Sequence, residues 1–197
     1  MSGLRESKKA ATRAQIARAT ARMALDHGAE SLTVAAVSEA AGVSARTFHN
    51  YFTAMDEALA EFLVSRVGEL VEQLRDAPAD ATLFDAVQWV IIEGLRGDAG
   101  VDQHLDSFAT LFRVSDLLLT IRGIEAVHEL DEQLRPLFDK LRRRATGLDP
   151  FEAEIAVKTA ATISQAAIEH YLALPEPKDP AAAEELVRRA FAVVQLR

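Results

Sequence analysis

The chain of 197 residues has no cysteine, only six prolines and nine glycines, and 6% aromatic residues. The absence of cysteine excludes disulfide bridges, thiolate zinc sites and cysteine nucleophiles, and it fits a reducing compartment. No apolar run approaches the roughly 18 residues that a transmembrane helix needs, and the polar, basic start of the chain differs from a secretory signal. We therefore expect a cytoplasmic protein that has no membrane partner, no metal and no other cofactor.

The composition favours an all-helical protein, because hydrophobic residues make up 49% of the chain while glycine and proline are few. The net charge of −8 is unevenly distributed along the chain. Residues 1–55 contain seven Lys or Arg against four Asp or Glu, a net charge of +3, whereas the remainder carries −11. A basic head on an acidic body is typical of a protein whose head alone contacts nucleic acid phosphates.

Residues 32–52 predict a short helix, a tight turn and a second short helix. Thr33 is a suitable N-cap for the first helix, Gly42 supplies the turn, and Ser44 is a suitable N-cap for the second. Phe48 and Phe52 lie four residues apart and can anchor the second helix in a small core. This pattern indicates a helix-turn-helix, which places its second helix in the major groove of DNA.

The remaining segments also show helical spacing of apolar residues. Residues 1–7 are expected to form a disordered arm, and Gly28 is expected to end the first helix. Pro136 is expected to kink or interrupt the helix that contains it. The predicted helices outside the helix-turn-helix cover residues 8–27, 56–75, 81–95, 102–119, 124–145, 151–174 and 181–196.

One set of residues spans the predicted helix-turn-helix and the start of the next helix: Thr33, Val37, Ala40, Ala41, Gly42, Val43, Ser44, Thr47, Phe48, Tyr51, Phe52, Asp56, Glu57, Ala58 and Leu59. Through these residues the chain resembles the TetR family of bacterial transcriptional regulators. The resemblance implies an all-α fold, in which a three-helix helix-turn-helix domain (residues 1–55) precedes a helical ligand-binding and dimerisation domain (residues 56–197). It also implies a homodimer that binds an operator in double-stranded DNA and responds to a small-molecule effector, more often as a repressor than as an activator.

Three positions depart from the pattern of this family. His49 stands where the family usually has Tyr, and Ala35 stands where a polar residue or Arg is common. Met55 stands where the family usually has a Lys that contacts phosphate. Because the loss of a phosphate contact weakens binding and flattens its salt dependence, basic residues near the N-terminus are expected to compensate. These residues are Arg5, Lys8, Lys9 and Arg13.

The strongest candidate for reading bases is Arg46, because a guanidinium can donate two hydrogen bonds to guanine; a phosphate contact is the alternative. His49 and Tyr51 are expected to contact phosphates, and the capping residues lie where a helix N-terminus favours an anion. The full set of predicted DNA-binding residues is Lys8, Lys9, Arg13, Thr33, Ser44, Arg46, Thr47, His49, Asn50 and Tyr51.

The central helices carry the predicted effector site, in the region where the resembled family keeps its ligand pocket. We expect a mostly apolar cavity with one or two polar anchors. The alternative is that its aromatic residues belong to the core. The candidate residues are Trp89, Glu93, His104, Phe108, Phe112, Arg113 and Gln165.

The last two helices carry the predicted dimer interface. The first of them has small or apolar residues on several sides, so it requires more cover than one neighbouring helix gives. A second subunit can supply that cover; the alternative is that the chain's own helices do. The candidate interface residues are Ala153, Ala156, Ala160, Ala167, Leu186, Ala190 and Val193.

Two other classes of function compete with this interpretation. One is a helical enzyme, but no nucleophile–base pair, phosphate-binding loop or metal cluster stands out, and we predict that the chain is not an enzyme. Residues 128–132 end in Glu132 where a zinc-binding HExxH motif requires His. The other is a protein-interaction module with a structural helix-turn-helix. Adjacent polar residues on one short helix favour DNA binding instead: Arg46, Thr47, His49 and Asn50.

Overall fold

The computed structural model of the chain describes residues 2–97, 108–143, 147–175 and 179–195. Within these ranges the regular elements are all helical, which confirms the predicted all-α fold. A single 3₁₀ turn (Ala29–Ser31) follows the first helix. The α-helices are α1 (Ser2–His27), α2 (Val34–Ala40), α3 (Ala45–Tyr51), α4 (Met55–Gln73), α5 (Leu83–Gly97), α6 (Phe108–Arg122), α7 (Ile124–Arg142), α8 (Pro150–Leu172) and α9 (Pro180–Gln195).

The described residues form two compact units. The head unit comprises those of Met1–Arg66 and Arg113–Gln133, and the body unit comprises those of Val67–Phe112 and Leu134–Arg197. The chain passes from one unit to the other within α4, α6 and α7. The expected domain boundary after residue 55 falls at the start of α4, inside the head unit, and remains a prediction about how the domains are divided.

Helix α1 is longer than the sequence indicated. It begins at Ser2, so the expected disordered arm over residues 1–7 is wrong for the residues that the structure describes. The first turns contain Leu, Arg, Glu, Lys and Ala and no proline, and such residues continue a helix at little cost. Gly28 ends the helix as predicted, with φ at 84° and its N–H donated to the carbonyl of Ala24 at 3.0 Å.

Local hydrogen bonds define the helix-turn-helix. Ala36 N–H donates to the Thr33 hydroxyl at 3.2 Å, and Thr47 N–H donates to the Ser44 hydroxyl at 3.0 Å. Both predicted N-caps are therefore confirmed. Gly42, with φ at 62°, makes the turn between α2 and α3. Apolar side chains of α1, α2 and α3 meet beneath this turn, and the buried ones include Ile16, Val37, Phe48 and Phe52.

In the body unit, α5, α8 and α9 pack against one another. Ala160 and Ala167 of α8 are buried in a cluster with Ile91 of α5 and Phe191 of α9. Ala153 and Ala156 are buried in a neighbouring cluster with Leu83 and Val157. The prediction that these four alanines line a dimer interface is therefore not supported. Their small side chains instead let the chain's own helices approach α8 closely.

The start of α8 matches its sequence signals. Pro150 occupies the first turn, and Asp149 and Glu152 form a reciprocal capping box in which each carboxylate accepts the backbone N–H of the other residue. Helix α7, by contrast, continues through Pro136 rather than ending there. Among the residues that the structure describes, none of the helices is both long enough and apolar enough to cross a membrane.

Gly42 provides a test of the turn, because the only cost of adding a side chain at this position should be its left-handed backbone conformation. A Cβ at this position would meet no atom within 4 Å. Gly42→Ala should lower the free energy of unfolding by about 1–2 kcal/mol, the usual cost of the left-handed conformation, and Gly42→Asn by less. Urea denaturation measures both values. Gly3→Ala, on a helical glycine with equally open surroundings, should cause no loss. Equal stability of Gly42→Ala and the wild type would contradict this account of the turn.

Candidate DNA-binding interface

The outer face of α3 presents polar side chains in a fixed orientation. Arg46, His49 and Asn50 are exposed, whereas Phe48 and Phe52 are buried on the opposite side. The ring of His49 rests edge-on against Phe48, with ring centroids 5.6 Å apart. Because the two phenylalanines fix the rotation of this helix, the donors of its outer face stay directed toward solvent.

A groove of about 830 Å³ lies between α1 and α3. It brings together five of the predicted DNA-binding residues, which are Lys8, Lys9, Thr47, Asn50 and Tyr51. The remaining lining residues are Arg5, Glu6 and Thr12. Three cationic side chains against one carboxylate give the groove a positive balance, which suits a phosphate backbone.

Thr12 was missed as a site residue although it lies within the predicted helix over residues 8–27, and the place of Arg5 beside it was missed because residues 1–7 were expected to be disordered. Positions 5, 8, 9 and 12 follow the spacing of one helical face. Extending the predicted helix from residue 8 back to Ser2 would have placed Arg5 on the same helical face as Lys8, Lys9 and Thr12. The helical spacing of Arg5 with Lys8 and Lys9 was therefore present in the sequence, but residues 1–7 had been assigned as irregular.

Arg13, one of the predicted DNA-binding residues, has several partners within the protein. Its Nε donates to Glu61 at 2.8 Å, its Nη1 donates to the Tyr51 carbonyl at 2.8 Å, and its guanidinium lies over the Phe52 ring at 4.5 Å from the centroid. The side chain is thus bound within the head unit, and we assign Arg13 a structural role there.

Thr33 and Ser44 both lie at exposed helix starts, where their hydroxyl groups cap α2 and α3. The Ser44 hydroxyl also lies 2.8 Å from that of Thr47. The turn between the two helices is supported from α1, because the Gln15 side-chain amide donates to the Ala41 carbonyl at 2.7 Å. These contacts hold α2 and α3 in one arrangement, as a docking element requires.

Comparison with known proteins agrees with this geometry. Residues 16–62 match the family model of bacterial regulatory proteins, tetR family. This segment of the chain is similar to the TetR family. The matched segment covers the C-terminal part of α1, all of α2 and α3, and the start of α4. The family resemblance drawn from the helix-turn-helix residues is therefore confirmed. No curated protein matches the chain.

Solved structures of similar fold extend over nearly the whole chain. The fatty acid degradation regulator FadR from Bacillus halodurans has a TM-score of 0.63 at 17% identity, covering 94% of this chain and 97% of its own. FadR from Bacillus subtilis, in complex with stearoyl-CoA, has a TM-score of 0.64 at 18% identity, with coverages of 91% and 96%. The multidrug binding protein EbrR, complexed with imidazole, has a TM-score of 0.53 at 20% identity, with coverages of 90% and 93%.

The predicted effector-site residues lie in several places. Trp89 is half-buried against a cluster formed with α4, and Phe112 packs against the cluster shared by α5, α8 and α9. Gln165 donates to Glu169 at 2.8 Å, and Glu93 is exposed. Arg113 belongs to the head unit, where it donates to the Leu25 carbonyl at 3.5 Å. His104 and the Phe108 side chain lie outside the described residues.

Arg46 should read bases, whereas the cations of the groove should contact phosphates. Arg46→Ala should weaken binding to the cognate duplex by about 1–3 kcal/mol and relax preference at one or two base pairs. Fluorescence anisotropy with the cognate duplex and single-base variants measures both effects.

Lys9→Ala provides the comparison for Arg46→Ala. It should weaken binding to all duplexes alike and reduce the salt slope by about one. If Arg46→Ala bound the cognate duplex as tightly as the wild type, the role in base reading would be wrong.

Proposed function

We propose that this chain is a homodimeric transcriptional repressor that leaves its operator when it binds a small apolar or amphipathic effector, in the cytoplasm of a bacterium. The observation that carries the proposal is the exposed polar face of α3, held by Phe48 and Phe52 within a TetR-family domain. This helix would enter the major groove with Arg46 toward the bases, while the groove beside α1 would follow the phosphate backbone.

A second copy of the chain is required for the proposed mode of binding. Two recognition helices must lie about 34 Å apart to reach successive major grooves on one side of the duplex. A two-fold dimer provides that spacing and reads an inverted repeat. A single seven-residue recognition helix has room for only a few base contacts, so a lone head would have low specificity.

The surface of α8 and α9 that remains exposed supports a dimer through these helices. Phe151 is 71% exposed and Ile155 48% exposed on the outer side of α8, and Val193 is 73% exposed on α9. Leu186 and Ala190 are half-buried and precede Val193 at helical spacing. We therefore shift the proposed interface from the buried alanines of α8 to this outer face, and retain the three residues of α9. Pairing across a two-fold axis would cover these apolar side chains.

Val193→Glu tests both the interface and the function. The wild type should have twice the chain mass of 21.5 kDa in light scattering at micromolar concentration. It should also enrich an inverted repeat from a randomised pool of duplexes. Val193→Glu places a charge in the proposed apolar contact, so it should yield monomers and enrich no inverted repeat.

Ala192→Glu is the matched control, because Ala192 is an exposed neighbour on the next face of α9. It should remain dimeric and enrich the same repeat as the wild type. A wild-type mass near 21.5 kDa would contradict the dimer, and a wild type that enriches no duplex would contradict DNA recognition.

Apolar side chains of the body unit support the class of effector. Helix α5 contributes to three apolar clusters of this unit, and Val87 packs against all of them. A ligand that separates these clusters would meet aromatic and aliphatic walls, with Gln165 and Glu93 as candidate polar anchors. The structurally similar FadR that was solved with stearoyl-CoA makes a long acyl thioester the first effector to test.

Release from DNA would follow from linkage. An effector that binds more tightly to a conformation with misplaced recognition helices must weaken DNA binding by the same factor. Helix α4 joins the two units in sequence, since residues 55–66 lie in the head unit and the rest in the body unit. A swing of α4 would change the spacing of the two α3 helices.

The only tryptophan of the chain, Trp89, can report effector binding. It is half-buried among Leu74, Ala86 and Val90, so a ligand inserted beside it should change the intensity or wavelength of its emission. Stearoyl-CoA should produce a saturable change and release the selected duplex over the same concentration range. Free CoA is the control and should produce neither. Saturable quenching without release would contradict the proposed linkage, and no effect of either kind would contradict a long acyl thioester as effector.

A further inference from the structure

Arg13 of α1 contacts the end of α3 and the first turns of α4 at the same time. We propose that Arg13 is a positioning residue for DNA recognition, which sets the orientation of α3 relative to α4. The inference rests on the proposed DNA-binding function, and it concerns residues of the head unit alone.

The three guanidinium nitrogens of Arg13 have different partners. Nε donates to Glu61 of α4 at 2.8 Å, and Nη1 donates to the Tyr51 carbonyl at the end of α3 at 2.8 Å. Nη2 lies 3.9 Å from Glu57 in the first turn of α4. The face of the guanidinium covers the ring of Phe52, the residue that follows α3. One side chain therefore joins three helices.

Glu57 extends this network into the connection between α3 and α4. One carboxylate oxygen faces Arg13, and the other accepts hydrogen bonds from the Thr53 N–H at 2.8 Å and the Thr53 hydroxyl at 2.9 Å. The segment that links the recognition helix to α4 is thus bound to the same carboxylate as Arg13. A displacement of Glu57 or Glu61 would act on both ends of this link.

The short length of α3 makes such a contact necessary. A helix of seven residues has almost no stability of its own, and its last carbonyls have no partners within the helix. Arg13 supplies a donor to one of these carbonyls and a cation at the negative end of the helix dipole. Phe48 and Phe52 hold the inner face of α3, while Arg13 connects its C-terminal end to α4.

The geometry requires arginine rather than any cation. A planar guanidinium can donate in three directions in its own plane while its face rests on an aromatic ring. A lysine ammonium keeps the charge but cannot make this set of contacts. Arg13→Lys therefore separates positioning from phosphate binding, because an electrostatic phosphate contact depends mainly on the charge that lysine retains.

The experiment compares Arg13→Lys and Glu61→Ala with the wild type on two duplexes, one selected by the wild type from a randomised pool and one unselected. Affinity is measured by anisotropy over a salt series, at temperatures where thermal unfolding shows each variant to be folded. Arg13→Lys should weaken the selected duplex by about fivefold or more and the unselected duplex by much less. The salt slope should stay at the wild-type value, whereas the Lys9→Gln control should lower it and weaken both duplexes alike.

Glu61→Ala should change the affinity for the selected duplex in opposite directions, depending on whether Glu61 acts only through its charge or as the partner of Arg13. Loss of a carboxylate near DNA would strengthen binding by electrostatics alone, whereas loss of the partner of Arg13 should weaken the selected duplex. This variant also carries the test if Arg13→Lys does not fold, because alanine is a strong helix former.

Unchanged binding of the selected duplex by both variants, or equal weakening of both duplexes with a lower salt slope, would overturn the role of Arg13 alone. A wild type that selects no duplex would remove the proposed function and this inference with it.

Discussion

The burial of Phe48 and Phe52 is the contact on which the DNA-binding face depends. Helix α3 has only seven residues, too few to be stable in isolation. Phe48 within the helix and Phe52 directly after it are 0% and 1% exposed, and they fix both the place and the rotation of the helix. The outward direction of Arg46 and Asn50 follows from that rotation. The recognition surface is therefore a consequence of core packing rather than of helix propensity.

The charge distribution shows how an acidic protein can offer a cationic surface. The chain carries a net charge of −8, yet Arg5, Lys8 and Lys9 stand together beside α3. The continuation of α1 to Ser2 is what brings them there, because a helix places residues four apart on the same side. These three cations are the residues we expect to compensate for the family Lys that is absent at Met55. Attraction between exposed charges is screened beyond about 8 Å in physiological salt, so the charges nearest to a phosphate matter more than the net charge of the chain.

The body unit uses small residues for close packing. Alanines at four positions of α8 are buried by other helices of the chain, Ala160 and Ala167 with residues of α5 and α9, and Ala153 and Ala156 with residues of α5 and α7. The opposite side of α8 still carries exposed apolar side chains, including Phe151 and Ile155. Large exposed side chains on two neighbouring helices mark a surface suited to association. The alanines therefore serve packing within the chain, and the exposed residues are the ones we propose for contact with a second subunit.

Features that depend on residues adjacent in the chain could be predicted from residue type. The caps at Thr33 and Ser44, the positive φ of Gly28 and Gly42, and the start of α8 at Pro150 all rest on contacts within about four residues, and each follows from residue type. The inward direction of Phe48 and Phe52 follows from their spacing. Local chemistry was thus sufficient to predict the helix-turn-helix and its exposed donors.

Only the tertiary structure decided which distant surfaces meet. Nothing close to Arg13 in sequence shows that Glu61, 48 residues away, accepts its hydrogen bond in place of a phosphate. Similarly, a helix with apolar residues on several sides does not reveal which side its own chain covers, and α5, α7 and α9 cover the alanine side of α8. A long cationic side chain or an apolar stripe is compatible with many partners. The choice among them depends on the packing of the whole fold, which local sequence does not contain.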